Sequence, residues 1–369
     1  MCTDFLLVAA DEQNSIVVGR SMEFGQDLGS QILVGGRGTK KQSDAPDQSA
    51  SGLSWTAKYG YVGLNAGTHP SMKSLNAGTH PLMKNLIADG MNEKGLSIGA
   101  LWLPRFTEYN PSVSNNAQAL DVTFFANWVL GNFATVSEVE TGLTGVQIWG
   151  SSSLSTNVPM HFSIHDASGA SMVIEFLVSN TQGWVQHNPV GVLTNAPPFA
   201  WQLSNIGNYA GLSSVDAGPI TIGGTTFYPP GLGSGLRGLP GDSTPPSRFV
   251  RLLFQKQFAK QPANSNDACN LALHLLNTVD IPLGISKAQK EDEKHNASDG
   301  NDDYTQWVVV KALTARTFSY RTVCNPTLMQ INFADLDLDN AGETIHPMPI
   351  EATHINITGK LSPVKAVSR

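Results

Sequence analysis

The order of apolar and polar positions divides the chain into β-rich runs at both ends and helical spacing between them. The runs TDFLLVAA (3–10) and SIVVGRS (15–21), separated by the turn-forming residues DEQN, predict an N-terminal hairpin. Further strands are predicted at 54–64, 96–104, 160–167, 171–177, 191–199, 305–313, 317–323 and 328–333. Strands are therefore expected both to open and to close the chain.

Helices are predicted between these strands. Two lie within 119–145, and one each follows from the helical spacing of 246–260 and 266–279. The Gly- and Pro-rich stretch 217–247 shows neither period and predicts a long loop, as do 35–52 and the charged segment 290–303. Strands, then helices, then strands again indicate an α+β fold with mainly antiparallel pairing, in which outer helices cover two sheets.

Composition and charge limit the kinds of molecule that the protein is expected to bind. The 369 residues are 41% hydrophobic and 14% charged, and we expect residues 1–369 to form a single domain. A net charge of −7 without a basic stripe argues against a nucleic-acid partner and favours a small neutral or mildly anionic substrate. No apolar run reaches about 18 residues, so no helix is predicted to span a membrane.

Cysteine usage and the first residues bear on the compartment. Cys2, Cys269 and Cys324 are an odd number, which argues against a disulfide framework and favours a reducing compartment. The first residues lack a basic region followed by an apolar stretch. We therefore expect a cytoplasmic protein if the chain is complete, and a periplasmic one if a signal peptide has been removed.

A tandem repeat and a glycine motif carry no chemistry in this sequence. LNAGTHPSMK (64–73) recurs as LNAGTHPLMK (75–84), identical at nine of ten positions, and predicts a lengthened surface loop. His69 and His80 within it lack a third ligand at a plausible spacing, so no metal site is predicted. GSGLRG (233–238) follows no strand and opens no clear helix, so no dinucleotide cofactor is predicted either.

The start of the chain, MCTDF, offers a nucleophile. If Met1 is removed, Cys2 carries a thiol and a free α-amine close together. The thiolate is the reactive form of cysteine, and an α-amine, whose pKa is about 7.7–8.0, accepts a proton near neutral pH. One residue then supplies nucleophile and base. Hairpin geometry would bring Arg20 beside Cys2 to hold the thiolate, and Glu23 could accept a hydrogen bond from the amine.

With these residues the sequence resembles the choloylglycine hydrolases, which include bile salt hydrolases and penicillin V acylases. The resemblance rests on Met1-Cys2-Thr3, GRSMEF (19–24), DGMNEKGLSIGALWLP (89–104), LTNAPPF (193–199), GLPGDSTPPSRFVR (238–251), DIPLGI (280–285), DYTQWVVVKAL (303–313) and Asn325-Pro326. It implies the αββα four-layer sandwich of N-terminal nucleophile hydrolases, needing no metal or cofactor. It also implies a homo-oligomer, since family members are often tetramers.

The resemblance gives each site residue a role. Cys2 would attack the carbonyl of a linear amide and form a thioester, with Arg20 beside its thiol. The side chain of Asn195 and the backbone N–H of Trp102 would donate to the oxyanion, and two such donors are the expected arrangement. Arg248 matches the family arginine of the site.

Three positions near the nucleophile bear on the substrate. Glu23 replaces the usual aspartate, and Trp102 stands where bile salt hydrolases have asparagine and penicillin V acylases have tyrosine. With Phe24 as a second aromatic residue, Trp102 favours penicillin V or an N-acyl homoserine lactone, and conjugated bile salts are the alternative. Segment 200–247 resembles the Gram-negative branch of the family, which includes acylases for both favoured substrates.

Two other interpretations remain open from the sequence. Glu23 and the duplicated loop are compatible with a non-catalytic binding relative that retains the fold. A cysteine hydrolase with a remote histidine base would use His165 or His187, although nothing in their spacing supports it.

Overall fold

Two β-sheets lie face to face in the computed structural model, which describes residues 1–25, 27–47, 50–67, 86–150, 158–287, 302–340, 342–349, 351 and 357. The strands are β1 (Cys2–Val8), β2 (Ile16–Phe24), β3 (Gln31–Gly35), β4 (Lys40–Asp44), β5 (Ser51–Thr56), β6 (Tyr61–Asn65), β7 (Ile87–Asn92), β8 (Ser97–Trp102), β9 (Ala119–Asp121), β10 (Gln147–Trp149), β11 (Met160–His165), β12 (Ser171–Leu177), β13 (Asn180–His187), β14 (Val192–Leu193), β15 (Ile220–Ile222), β16 (Thr225–Phe227), β17 (Tyr304–Ala312), β18 (Thr317–Thr322), β19 (Met329–Asn332) and β20 (Glu343–Pro347). The α-helices are α1 (Phe125–Asn132), α2 (Val136–Leu143), α3 (Phe199–Asn205), α4 (Pro245–Phe258) and α5 (Ser265–Asn277).

The described strands form two large sheets and three two-stranded ones. The first large sheet has six strands in the order β14-β1-β2-β17-β18-β19, and the second has eight in the order β13-β12-β11-β8-β7-β6-β3-β20. Both are antiparallel throughout. Helices α4 and α5 pack on the first sheet, and α1 packs on the second. The layers therefore run helix, sheet, sheet, helix, as the α+β sandwich prediction required.

The N-terminal hairpin is confirmed, and its register decides which side chains enter the site. β1 and β2 pair from Cys2 opposite Met22 to Val8 opposite Ile16. Alternate residues of a strand point to opposite faces. Cys2 and Met22 therefore face the second sheet, with Asp4 and Arg20 beside them, whereas Thr3 and Glu23 face α4.

Two predicted strand boundaries are wrong, and the structure shows a reason for each. The single strand predicted at 54–64 is two strands, because the chain turns at 57–60, where the N–H groups of Lys58 and Tyr59 donate to the carbonyl of Gly131. The strand predicted at 191–199 is only β14, since Pro197 and Pro198 have no N–H for a ladder and α3 begins at once.

Other segments carry structure that the pattern did not predict. Residues 119–121, predicted helical, form β9, which pairs in parallel with β10. The predicted loop 217–247 contains the β15–β16 hairpin, and the predicted loop 35–52 contains β4. The repeat beyond residue 67 and most of 290–303 lie outside the described residues. Among the described helices, none has the length and apolar character that a bilayer crossing requires.

Candidate active site

Cys2 is the first residue of β1 and lies between the two sheets with only 3% of its surface exposed. Its Sγ is 3.3 Å from Arg20 Nη2 and 3.6 Å from Met22 Sδ. The register brings both partners here, because Met22 is opposite Cys2 and Arg20 is two residues away on the same face of β2. A thiol in contact with a guanidinium group is the arrangement that stabilises a thiolate.

Arg20 is fully buried and is held by the second sheet. Its Nη1 donates to the carbonyl of Ala88 and its Nη2 to that of Ala100, each at 2.7 Å. Gly99 makes room for it, since a Cβ at that position would lie 2.9 Å from Arg20 Nη1. Burial acts against the charge, but Cys2 and the nearby carboxylates raise the pKa of the guanidinium above its usual value. Arg20 is therefore a fixed positive charge at the thiol.

Arg248 and Asn195 hold the backbone of Cys2 from the opposite side. Arg248, on α4, donates from Nη1 to the Cys2 carbonyl at 2.7 Å and from Nη2 to Asn195 Oδ1 at 2.9 Å. The backbone N–H of Cys2 also donates to Asn195 Oδ1, at 2.5 Å, and Asn195 Nδ2 donates to the carbonyl of Trp102 at 2.8 Å. An amide nitrogen carries two hydrogens, so this bond leaves the second for another acceptor.

Met1 pairs with Glu23 through the backbone of both residues. The Met1 amine donates to the Glu23 carbonyl, and the Glu23 N–H donates to the Met1 carbonyl at 2.8 Å. The Glu23 carboxylate instead accepts from the Thr305 hydroxyl at 3.1 Å and lies 3.8 Å from Arg248. Burial raises the pKa of this carboxyl, and Arg248 offsets only part of the increase. Glu23 Oε2 is buried without a hydrogen-bond partner.

A pocket opens from the thiol. Its empty space, counted together with the part open to solvent, is about 450 Å³, and its lining residues are apolar except for Cys2 itself. Phe24 and the half-buried Trp102, both lining residues, meet edge to face with ring centroids 5.5 Å apart, and Leu28 and Met160 also line the pocket. Such a pocket suits an apolar group without charge.

The histidines considered as remote bases lie elsewhere. His165 is buried, with Nε2 2.6 Å from Asp4 Oδ1 and 2.9 Å from the Ser163 hydroxyl. His187 is exposed, 3.9 Å from Glu140. Each histidine therefore pairs with a group other than the Cys2 thiol. No group of three possible metal-ligating side chains occurs in the part of the chain that the structure describes, and His69 and His80 lie outside it.

Two buried polar groups beside the site escaped the sequence reasoning. His161 Nε2 contacts the Thr194 carbonyl at 2.8 Å, and its Nδ1 contacts Glu175 Oε1 at 3.0 Å. The same carboxylate oxygen accepts from the N–H of Phe199 at 2.9 Å. The pair thus holds both ends of the segment that contains Asn195. The sequence does hold a signal for this pair, because His161 and Glu175 are ionisable residues within the apolar runs MHFSIH and SMVIEFL.

A second buried group supports Arg20. Asp89 accepts a hydrogen bond from Lys311 Nζ and lies 4.0 Å from Arg20 Nη1. Asp4 lies on the other side, where burial disfavours its charge, but His165, Lys311 and Arg20 lower its pKa from 3.8 to about 2. Both carboxylates therefore compensate the cations between the sheets.

Comparisons with known proteins agree on one family. The family model described as linear amide C-N hydrolases, choloylglycine hydrolase family, matches residues 2–346. A bile salt hydrolase/transferase of Clostridium perfringens is 33% identical over 258 residues, which cover 69% of this chain and 73% of the relative. A penicillin V acylase of Pectobacterium atrosepticum is 27% identical over 361 residues, which cover 90% and 82%.

Solved structures show the same fold. A conjugated bile acid hydrolase from Clostridium perfringens matches with a TM-score of 0.78 at 24% identity, over 97% of this chain and 100% of that one. The penicillin V acylase from Agrobacterium tumefaciens matches with a TM-score of 0.70 at 23% identity, over 95% and 94%. At these identities the likeness shows the fold alone, and it confirms the sandwich expected from the sequence.

Proposed function

Because the chain belongs to the choloylglycine hydrolase family of linear amide C-N hydrolases, we propose that Cys2, once its amine is free, is the nucleophile of an amide hydrolase. The observation that carries the proposal is the buried thiol at 3.3 Å from Arg20, which also lines an apolar pocket. Residues 2–346, at the least, act as one catalytic domain in this proposal.

The reaction proceeds through a thioester. The α-amine takes the proton of the Cys2 thiol, the thiolate attacks the amide carbonyl, and the oxyanion is stabilised by the second hydrogen of Asn195 Nδ2 and by the N–H of Trp102. That N–H faces the same side as the Trp102 carbonyl, because both groups of an antiparallel strand residue point to one neighbour. The C–N bond then breaks, and the leaving nitrogen takes a proton from the α-amine. A water deprotonated by the amine attacks the thioester and releases the acid and the thiol.

The other predicted residues position this reaction. Arg20 stabilises the thiolate, and Arg248 fixes the Cys2 carbonyl and the Asn195 side chain. Once the amine is free, Glu23 Oε2 is its acceptor in this proposal, since the terminus acts on this carboxyl and Oε2 is buried without a hydrogen bond, with Arg248 at 3.8 Å. No metal or cofactor takes part in these steps.

The acyl pocket favours penicillin V or an N-acyl homoserine lactone. Both present an uncharged acyl group, phenoxyacetyl or a fatty acid, to a wall formed by Phe24 and Trp102. A conjugated bile salt is the alternative, supported by the bile salt hydrolase/transferase among the relatives. The distinguishing measurement is kcat/KM for penicillin V, acyl homoserine lactones of several lengths and glycocholate with one enzyme preparation.

The nucleophile is tested directly by substitution. We expect Cys2→Ala and Cys2→Ser to lose hydrolysis of every substrate in that panel, with Cys269→Ala unaffected as the matched control. N-terminal sequencing of the active preparation should start at Cys2. Full activity of Cys2→Ala, or of protein that retains Met1, would overturn the proposal and favour a non-catalytic relative or a remote base.

The β15–β16 hairpin favours self-association, as the resemblance implies. All of its residues are exposed, including Ile220, Ile222 and Phe227, and an isolated two-stranded hairpin is marginally stable in water. Leu232, which follows it, is 97% exposed. A second copy of the chain covering this arm would bury these side chains, so the proposal is a homo-oligomer that binds a small amide.

A further inference from the structure

Met1 occupies a position beside Cys2 that becomes open when Met1 is removed to free the Cys2 amine. Its backbone extends the ladder by one residue, because Met1 and Glu23 exchange both of their backbone hydrogen bonds. The Met1 nitrogen also lies 3.7 Å from Asp303 Oδ2, and the side chain of Asp303 is 26% exposed. The position is therefore bordered by a backbone donor, a backbone acceptor and a carboxylate.

Removal of Met1 leaves these groups without their partner. The residue Glu23 has no exposed surface, and buried N–H and C=O groups require a hydrogen-bond partner. An unpaired strand end of this kind binds extended amide-like groups as a neighbouring strand would. The open position is thus suited to a polar, planar ligand.

The amine half of the substrate is the ligand that must approach this position. The leaving nitrogen takes its proton from the Cys2 nitrogen and so comes within hydrogen-bond distance of it. The Cys2 nitrogen donates a hydrogen bond to Asn195 Oδ1 at 2.5 Å on one side. On another side it is bonded to the carbonyl carbon of Met1 until Met1 is removed. The leaving nitrogen therefore has its path from the side of Met1.

We propose that the position of Met1 is the subsite for the amine half of the substrate, and that Asp303 makes it select neutral or cationic amines over anionic ones. This inference rests on the proposed function. The backbone of Glu23 pairs with a carbonyl or amide of the amine half, and the Asp303 carboxylate repels a carboxylate or sulfonate there.

The two arginines of the site do not reverse this selection. Arg20 and Arg248 are fully buried, and their nitrogens donate to the carbonyls of Ala88, Ala100, Cys2 and Ser243 and to Asn195. The charge of Arg248 is also opposed by Glu23 at 3.8 Å. Asp303 is partly exposed and its carboxylate lies 3.7 Å from the Met1 nitrogen, so an anionic amine half at this position meets its negative charge.

The consequence is a substrate class. Among amides with the same acyl group, a neutral homoserine lactone is preferred to an amino-acid or aminopenicillanic conjugate. In water, two like charges about 5 Å apart repel each other by about 0.8 kcal/mol. A neutral amine half avoids this repulsion, so it should be preferred over an anionic one roughly three- to fivefold. Because Asp303 is partly exposed to solvent, the preference should fall as ionic strength rises.

The test uses two substrates that differ only in charge. We would measure kcat/KM for phenoxyacetyl-glycine and phenoxyacetyl-glycinamide with the wild type, Asp303→Asn, and Asp339→Asn as a control on a remote surface carboxylate that pairs with Arg37. We expect the wild type to prefer the amide about three- to fivefold. Asp303→Asn should bring the ratio close to one by raising kcat/KM for the glycine conjugate, and Asp339→Asn should leave it unchanged.

The outcomes separate this inference from the proposed function. An unchanged ratio in Asp303→Asn, with both substrates still hydrolysed, would overturn the subsite and leave the amidase intact. Absence of hydrolysis of both substrates and of the whole acyl panel would instead overturn the proposed function. A ratio that shifts equally in Asp339→Asn would show a general charge effect and also reject the subsite.

Discussion

We expect Glu175→Gln to slow catalysis without reducing the reactivity of the thiol. Glu175 does not approach Cys2. It acts through His161 and the Phe199 N–H, which lie at the two ends of the segment that carries Asn195. Glu175 is therefore a positioning residue, and its loss should move the proposed oxyanion donor while Arg20 and the thiol stay in place.

The magnitude follows from the hydrogen bonds of Glu175. Oε1 accepts from Phe199 and contacts His161 Nδ1, and Oε2 accepts from Gln186 Nε2 at 3.1 Å. A glutamine that keeps its oxygen toward His161 turns its NH2 toward the NH2 of Gln186, so one bond becomes a contact between donors. An unsatisfied buried polar group costs about 1–3 kcal/mol of unfolding free energy. Full loss of an oxyanion donor costs about 10²–10³ in rate, so partial displacement should lower kcat about 10- to 100-fold.

The assay combines kcat and KM with two measurements that separate the possible causes. Alkylation of Cys2 by iodoacetamide should remain within about twofold of wild type, and chemical unfolding should give the stability loss. The swap Glu175→Gln with Gln186→Glu restores a donor opposite an acceptor and should recover most of kcat. If kcat and KM stay unchanged while stability falls, the pair is merely structural and the reasoning is refuted. Equal loss of alkylation would also refute it, because the defect would then include the nucleophile.

Three further perturbations probe other parts of the fold. Asp4→Asn should lower the unfolding free energy by about 2 kcal/mol at neutral pH, because His165 stabilises the ionised carboxylate. This difference from wild type should vanish as pH falls from about 4 to 2, which chemical unfolding across this pH range checks. Gly99→Ala should displace Arg20 and slow iodoacetamide alkylation of the thiol several-fold with the fold retained by circular dichroism. Leu232→Ser should shift the proposed homo-oligomer toward smaller species in light scattering, since burial of a leucine contributes about 1.5–3 kcal/mol.

The pattern of apolar residues predicts the strands that are buried along most of their length. β1 and β2 are apolar runs with a turn between them, and their register alone places Arg20 beside Cys2. β13, by contrast, has the polar sequence NTQGWVQH and is held by pairing at the edge of the eight-stranded sheet, which no local period reports. The break between β5 and β6 depends on bonds to Gly131, some 70 residues away.

The site shows the same division between local and distant causes. Asn195 and Arg248 were identified from a family resemblance, because 193 and 246 residues separate them from Cys2 and only the folded sheets and α4 bring them together. Their mutual bond, and the direction of the Asn195 amide, depend on side-chain geometry that a sequence does not specify. His161 and Glu175 could have been suspected, since ionisable residues in apolar strands are costly unless paired.

Glu23 shows how the site accommodates a longer acid where the family resemblance leads one to expect an aspartate. Its extra methylene lets Oε1 reach the hydroxyl of Thr305 on β17, which leaves Oε2 buried near Arg248 and the terminus without a bond. Burial raises the pKa of this carboxyl, and Arg248 offsets only part of the increase. A free ammonium on Cys2 would supply the missing donor and a positive charge. We therefore expect removal of Met1 to lower the pKa of Glu23 and to stabilise the fold, so that the chain gains stability by the step that frees its nucleophile.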